Sequence, residues 1–165
     1  MPKVNTLKDI YVEQLRELYN AEIQLIDVLP EMAQAVHDPE LKSNFEVHLE
    51  QTYRHVERIE RILDDLDQRP TGHRCEVMVG LVREARKSIR EEESKDAALI
   101  AVALRMEHYE MAGYGRVCTY AFLLGDDEAS DTLQMTLDEE AEMECGLTGM
   151  DEKVSAKAEA IFSRG

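Results

Sequence analysis

Tryptophan is absent from this chain, and proline (4), cysteine (3) and aromatic residues (5%) are scarce among its 165 residues. So little proline, beside an abundance of Glu, Ala, Leu, Met and Arg, favours long helices over sheets. Those residues lose little freedom in a helix, whereas proline removes a backbone donor. The cysteines Cys75, Cys118 and Cys145 are odd in number and form no CxxC pair. That points to reduced thiols and a cytoplasmic location rather than to a disulfide framework. No apolar run approaches the about 18 residues that a membrane-spanning helix needs. Met1-Pro2-Lys3-Val4-Asn5 lacks the apolar segment of a secretory signal. Basic residues are also in deficit, with 19 Lys and Arg against 35 Asp and Glu, a formal net charge of -16. A surface of that sign repels phosphate backbones and anionic headgroups. Neither nucleic acid nor a membrane is therefore an expected partner, whereas cations are attracted.

What is present suffices for a single domain, 1–165, with its core over about 6–150 and a polar tail over 151–165 that is expected to fray. Thr6, with Asp9 three residues on, predicts the start of a first helix whose stripe is Leu15, Leu18, Glu22, Leu25 and Leu29. Pro30 is expected to kink or break that helix. Asp38-Pro39 pairs an N-cap acid with a proline at the first helical position. It predicts a second helix to about Asp67, with the stripe Leu41, Phe45, His48, Thr52, His55, Ile59, Ile62 and Leu66. Arg69-Pro70-Thr71-Gly72 ends it. A shorter helix follows over about 75–92. Ser94 is placed to cap the next long helix, which reaches about Leu124 with the stripe Ile100, Leu104, Glu107, Met111, Tyr114 and Cys118. Gly113 and Gly115 on it leave room for a close neighbour such as a partner's helix. Gly125 and Asp126 mark the turn into a last helix carrying Leu133, Leu137, Glu140, Glu144 and Leu147. The pattern predicts an all-α, ferritin-like four-helix bundle, with an extra short helix in the long crossover between the second and third long helices.

Each long helix interrupts its apolar stripe with polar groups at mid-length. These are Glu22 on the first, His48, Thr52 and His55 on the second, Glu107 on the third, and Glu140 and Glu144 on the fourth. Taken singly, such a Glu is more often at a stripe edge or paired with arginine, and such a His more often a hydrogen-bonded core residue. Taken together they are costly: several unpaired carboxylates in one dry core repel each other, and cations relieve the repulsion. Hard or borderline cations prefer carboxylate oxygen with some imidazole. Gln51 and His55 are four residues apart, as are Glu140 and Glu144, so each pair shares one helix face. The Glu-x-x-His pair of di-iron bundles is absent: Thr52 and Met143 occupy the positions it would need.

The segments Leu18-Tyr19-Asn20-Ala21-Glu22-Ile23-Gln24-Leu25 and Leu29-Pro30-Glu31-Met32-Ala33 resemble the first helix of the YciE/YciF-type ferritin-like family. His48-Leu49-Glu50-Gln51-Thr52 with Val56-Glu57-Arg58-Ile59 is similar to its second helix, and Cys75 with Met78-Val79-Gly80-Leu81 to its crossover helix. Asp96-Ala97-Ala98-Leu99-Ile100, Glu107-His108-Tyr109-Glu110 and Tyr114-Gly115 resemble its third long helix, and Leu137-Asp138-Glu139-Glu140 its fourth. The resemblance spans about residues 6–150. It implies a stress-associated cytoplasmic protein, a homodimer, with a dinuclear site for two iron ions, or manganese or zinc. It also implies Glu22, Glu107, Glu110, Glu140 and Glu144 as metal ligands. Where the family often has two consecutive acids, this chain has Glu50-Gln51, which removes one expected carboxylate that His55 partly replaces.

Two functional readings remain at this point. In one, the bundle binds metal and reacts with oxygen or peroxide. In the other, it is a non-catalytic dimer whose metal site has degraded and which acts by association. No nucleophile–base arrangement or glycine-rich phosphate loop supports a hydrolase or transferase.

Overall fold

The computed structural model describes residues 6–90 and 95–163, without the side chains of Ile161 and Phe162. Among these residues there are five helices and no strand: α1 (Leu7–Ala35), α2 (Pro39–Asp65), α3 (Glu76–Arg90), α4 (Lys95–Leu123) and α5 (Asp127–Ser163). The predicted Ser94 cap and the predicted end of the short helix lie outside them.

The helix ends follow their capping chemistry. Asp9 N–H donates to Thr6 Oγ1 at 3.1 Å, and Thr6 N–H donates to Asp9 Oδ2 at 3.0 Å, a reciprocal capping box. Asp38 Oδ1 accepts from the N–H groups of Glu40 (2.9 Å) and Leu41 (3.1 Å), with Pro39 opening α2. Gly125, at φ +80°, makes the turn after α4, and Asp126 Oδ1 accepts from Ala129 N–H at 3.0 Å. The break that Pro30 could cause does not occur: α1 runs through it to Ala35. Val28, Leu29, Met32 and Ala33 are buried on both sides of it, and their packing holds the helix across the lost hydrogen bond.

The tail departs further from expectation. Instead of fraying after Asp151, α5 continues to Ser163. Met150 and Val154 extend the Leu147 stripe into the core, while Lys153 and Lys157 reach Asp38 Oδ2 at 3.9 and 3.5 Å. The α4 stripe is also broader than its spacing suggested. Val102, Ala103, Met106 and Glu110 are buried while Leu104 and Met111 are only half-buried, because α1, α3 and α5 all pack on this helix. The room at Gly113 is filled from within: a Cβ there would stand 2.7 Å from Leu18 Cδ2, so the close neighbour is the chain's own α1.

The hairpins α1–α2 and α4–α5 pack side by side, α1 against α4 and α2 against α5, and α3 crosses between them on α1 and α4. This is the ferritin-like bundle, with its one long crossover. The start of the crossover helix is pinned to α1: Cys75 N–H donates to Asn20 Oδ1 (2.8 Å), and Gln24 Nε2 donates to Cys75 O (3.1 Å). The apolar core falls into two separate clusters. One is built around Leu25, Leu29, Met32, Phe45, Met78, Leu99 and Leu147, the other around Tyr11, Leu15, Ile59, Leu63, Val117 and Leu133. Between them lies a layer of polar side chains.

Asp38 offers a check on this account. The Leu41 amide holds its carboxyl below the usual carboxylate range against a smaller opposing effect of burial, with Glu40 N–H and the two lysines assisting. A depressed folded-state pKa stabilises above the unfolded-state value, and the contribution is lost as pH falls through the folded value. Asp38→Ala is expected to lower stability by about 1 kcal/mol at neutral pH. Urea unfolding of both proteins should show that difference shrinking below about pH 4.

Candidate metal centre

The polar layer follows from helical register. Glu22 sits between Leu18 and Leu25 on α1. His48, Thr52 and His55 recur every three or four residues on α2, as do Glu107, Glu110 and Tyr114 on α4. Glu140 continues the Leu133 and Thr136 face of α5. Folding the bundle brings these faces to one level. Glu22, Glu110, Glu140 and His55 are fully shielded from solvent, and Glu107 and His48 nearly so.

Two groups of ligand-type atoms converge there. His48, Glu107, Glu110 and Glu140 each offer an atom within 4.8 Å of the others, and so do Glu22, His55 and Glu140. Glu140 belongs to both. His55 Nδ1 lies 3.1 Å from Glu22 Oε1 and 3.0 Å from Glu140 Oε1. His48 Nε2 lies 2.8 Å from Glu107 Oε1, in a direction that does not make a hydrogen bond.

The layer is short of partners. Glu22 Oε2, Glu107 Oε2, both oxygens of Glu110, both of Glu140 and both ring nitrogens of His48 are buried without a hydrogen bond. An orphaned buried polar atom costs about 1–3 kcal/mol, more if charged. A cation shared among them would relieve such a concentration of orphans on one donor set. Carboxylate and imidazole in this mixture suit iron, manganese or zinc. The residues present fit a metal pair.

Electrostatics agree with crowding. Burial raises the carboxyl pKa of Glu110 well above the usual range, and the charges of Glu140, Glu22 and Glu107 raise it further. Burial also raises Glu107 and Glu140. Burial opposes a charged His55, but Glu22 and Glu140 outweigh it and lift its pKa to about 11.

The residues named from sequence do not all arrive at the same place. Glu22, Glu107, Glu110, Glu140 and His55 meet in the layer. Gln51 lies between His48 and His55 on the inner side of α2, and its Oε1 is a further buried atom without a partner. Glu144 stands one turn beyond Glu140 and outside the converging groups. One of its oxygens accepts from Thr148 Oγ1 at 2.8 Å and lies 3.4 Å from His108 Nε2. The Thr148 hydrogen bond is the main reason its carboxyl stays below the usual range.

Three contributors were not among the ligands named from the sequence. His48 reads as a core histidine, yet it faces Glu107 with both nitrogens unsatisfied. Tyr114, a member of the predicted α4 stripe, is fully buried and donates to Glu22 Oε1 at 2.5 Å. Glu139, beside Glu140, accepts from Arg58 Nη2 at 2.9 Å and lies 2.9 Å from His55 Nε2. The recurrence of 107, 110 and 114 on α4 could have flagged Tyr114. Nothing in the spacing flags Glu139, whose role depends on which helix lies beside α5.

Fold and site together define the class: a ferritin-like four-helix bundle with a buried carboxylate–histidine layer at its centre. Comparison with known proteins narrows this. Residues 6–160 match the family described as a domain of unknown function, DUF892. The chain is 36% identical over 161 residues to Protein YciF of Escherichia coli (strain K12), covering 94% of this chain and 97% of that protein. The crystal structure of the E. coli stress protein YciF superposes with a TM-score of 0.88 at 35% identity, covering 93% of this chain and 99% of that one. YcfI from Rhodopseudomonas palustris gives 0.83 at 33% identity, covering 89% and 96%. A protein from Xanthomonas campestris pv. campestris shares the fold, with a TM-score of 0.76 at 22% identity over 96% of this chain and 98% of that one. The chain belongs to the DUF892 family, of the YciE/YciF type.

Glu110 is the sharpest probe of the layer, since both its oxygens lack partners. Glu110→Met is expected to stabilise the metal-free protein by about 1–3 kcal/mol, because it removes a buried orphan. It should also reduce the stabilisation by added metal, leaving what the Glu22, His55 and Glu140 group provides. Urea titrations with chelator and with Mn(II) measure both.

Proposed function

We propose that this protein holds a pair of transition-metal ions at the Glu22, His48, His55, Glu107, Glu110 and Glu140 layer, and that it protects against oxidative stress by binding metal and reacting with oxygen or peroxide. Iron is the first choice, with manganese or zinc as substitutes. The observation that carries this is the set of buried carboxylate oxygens and imidazole nitrogens left without hydrogen bonds on converging side chains. Gln51 contributes a neutral oxygen where the family often carries an acid. Glu144, one turn beyond Glu140 and held by Thr148 and His108, stands outside this set. A bound redox metal would supply electrons and Lewis acidity to an oxygen substrate.

The chain's own residues would prepare the place. Four buried carboxylates neutralise cationic charge, and Glu140 is shared between the two groups. The Tyr114 hydroxyl fixes Glu22, and the two apolar clusters keep bulk water from the layer. The description of the E. coli relative as a stress protein supports the biological side of the reading. A cytoplasmic homodimer completes it. Among the described residues no helix is long and apolar enough to cross a membrane.

One observation favours a second reading. His55 already lies against Glu22, Glu139 and Glu140, so an imidazolium can offset part of the buried charge without metal. The protein would then be a non-catalytic bundle acting by association.

Metal analysis of anaerobically purified protein separates the two. The first reading expects a pair of ions per chain and anomalous diffraction peaks between Glu107, Glu140 and Glu22. It also expects Fe(II) or Mn(II) at 100 times its Kd to stabilise the fold by about 2.7 kcal/mol. Less than about 0.2 metal per chain, with a melting temperature indifferent to metal, would leave only the second.

A further inference from the structure

We propose that Glu139, locked by Arg58, sets the tautomer of His55 and thereby decides which imidazole nitrogen is presented to the metal pair. The inference rests on the metal reading above and assigns positioning roles to two residues outside the converging groups.

The chain of contacts runs from the layer to the bundle surface. His55 Nδ1 faces Glu22 and Glu140 in the layer. Its Nε2 faces away, 2.9 Å from Glu139 Oε2. The other Glu139 oxygen, Oε1, accepts from Arg58 Nη2 at 2.9 Å, and Arg58 Nη1 donates to Thr136 Oγ1 at 3.0 Å. Arg58 lies one turn beyond His55 on α2, and Thr136 and Glu139 lie one turn apart on α5, so both helices contribute to one rigid lattice. Arg58 and Glu139 are 15% and 21% exposed, which puts this pair at the rim of the layer.

The consequence is chemical. A carboxylate bound to a guanidinium can only accept, so the imidazole must keep its proton on Nε2 when it is neutral. The lone pair is then on Nδ1, the nitrogen that faces the acids where a cation would sit. Metal-bound histidines generally donate their other N–H to a carboxylate in this way. His48 has no such support, since its Nδ1 is buried without any partner. The two histidines are therefore unequal: a carboxylate backs the His55 ring on its far side, and none backs that of His48.

Glu139→Gln tests this with an unchanged side-chain volume. Arg58 needs an oxygen, so the carboxamide introduced by this substitution would turn its NH2 towards His55 Nε2. Nε2 must then accept, the proton moves to Nδ1, and the ligand lone pair is lost. In full-length protein with 15N-labelled histidine, titrated with Zn(II), the wild type should show His55 with zinc on Nδ1 and a proton on Nε2. In Glu139→Gln, one zinc should bind about 10–100-fold more weakly. The His55 nitrogen shifts should report the opposite tautomer, with those of His48 unchanged. Adding Arg58→Met frees the carboxamide to flip and accept from Nε2–H, so the double variant should recover the tautomer and part of the affinity, a rescue that a merely structural role does not predict. Equal zinc affinity and identical His55 shifts in wild type and Glu139→Gln would overturn the role of Glu139 alone. No zinc bound by the wild type would overturn the metal reading and this inference with it.

Discussion

Negative charge buried between helices is the constraint around which this molecule is organised. Glu22, Glu107, Glu110 and Glu140 come from three different helices and occupy one level of the bundle with almost no access to solvent. An apolar core would be cheaper to build there, because desolvating an acid costs more than its partial pairing returns. The two leucine-rich clusters above and below supply the packing that makes such a layer tolerable. In this fold the stabilising part and the chemical part are spatially separate: the ends hold the helices together, and the middle holds groups that would otherwise push them apart.

The layer is graded from interior to rim. At its centre the oxygens of Glu110 and Glu140 lack well-aligned hydrogen bonds, and Glu140 meets the His55 imidazole at 3.0 Å. One step out, Glu22 is tied by Tyr114, and His55 is tied by Glu139. At the rim, Glu139 meets Arg58 and Glu144 meets Thr148, and both carboxyls stay below the usual range; in Glu139 the Arg58 and His55 contacts overcome burial. Unsatisfied capacity is therefore concentrated where a cation would be most shielded, and rigid support lies where it can orient a ligand without competing for the ion.

Much of this was legible in the residues. Caps at Thr6, Asp38 and Asp126, with three- and four-residue apolar spacing, located four long helices and a crossover helix. Glu22, His55, Glu107 and Glu140 stood out because each breaks an apolar stripe. Glu110 came from family resemblance rather than from its stripe, since the spacing placed Met111 inside and α4 is in fact surrounded on several sides. The helical tail was not legible, because its polar average hides Met150 and Val154 and because Lys153 and Lys157 find their partner in Asp38, more than a hundred positions away.

By itself, then, the sequence determined what is local: helix starts and stops, the face each helix turns inward, and which inward faces carry charge. Those features depend on backbone capping and on a repeat of about 3.6 residues, both short-range. Only tertiary structure decided which charged faces share a level, that Glu140 is common to both groups, that Glu144 turns outward, and that Glu139 and Arg58 brace His55. These depend on the rotation and register of one helix against another, which arise from packing across the whole bundle and leave no periodic trace in any single segment.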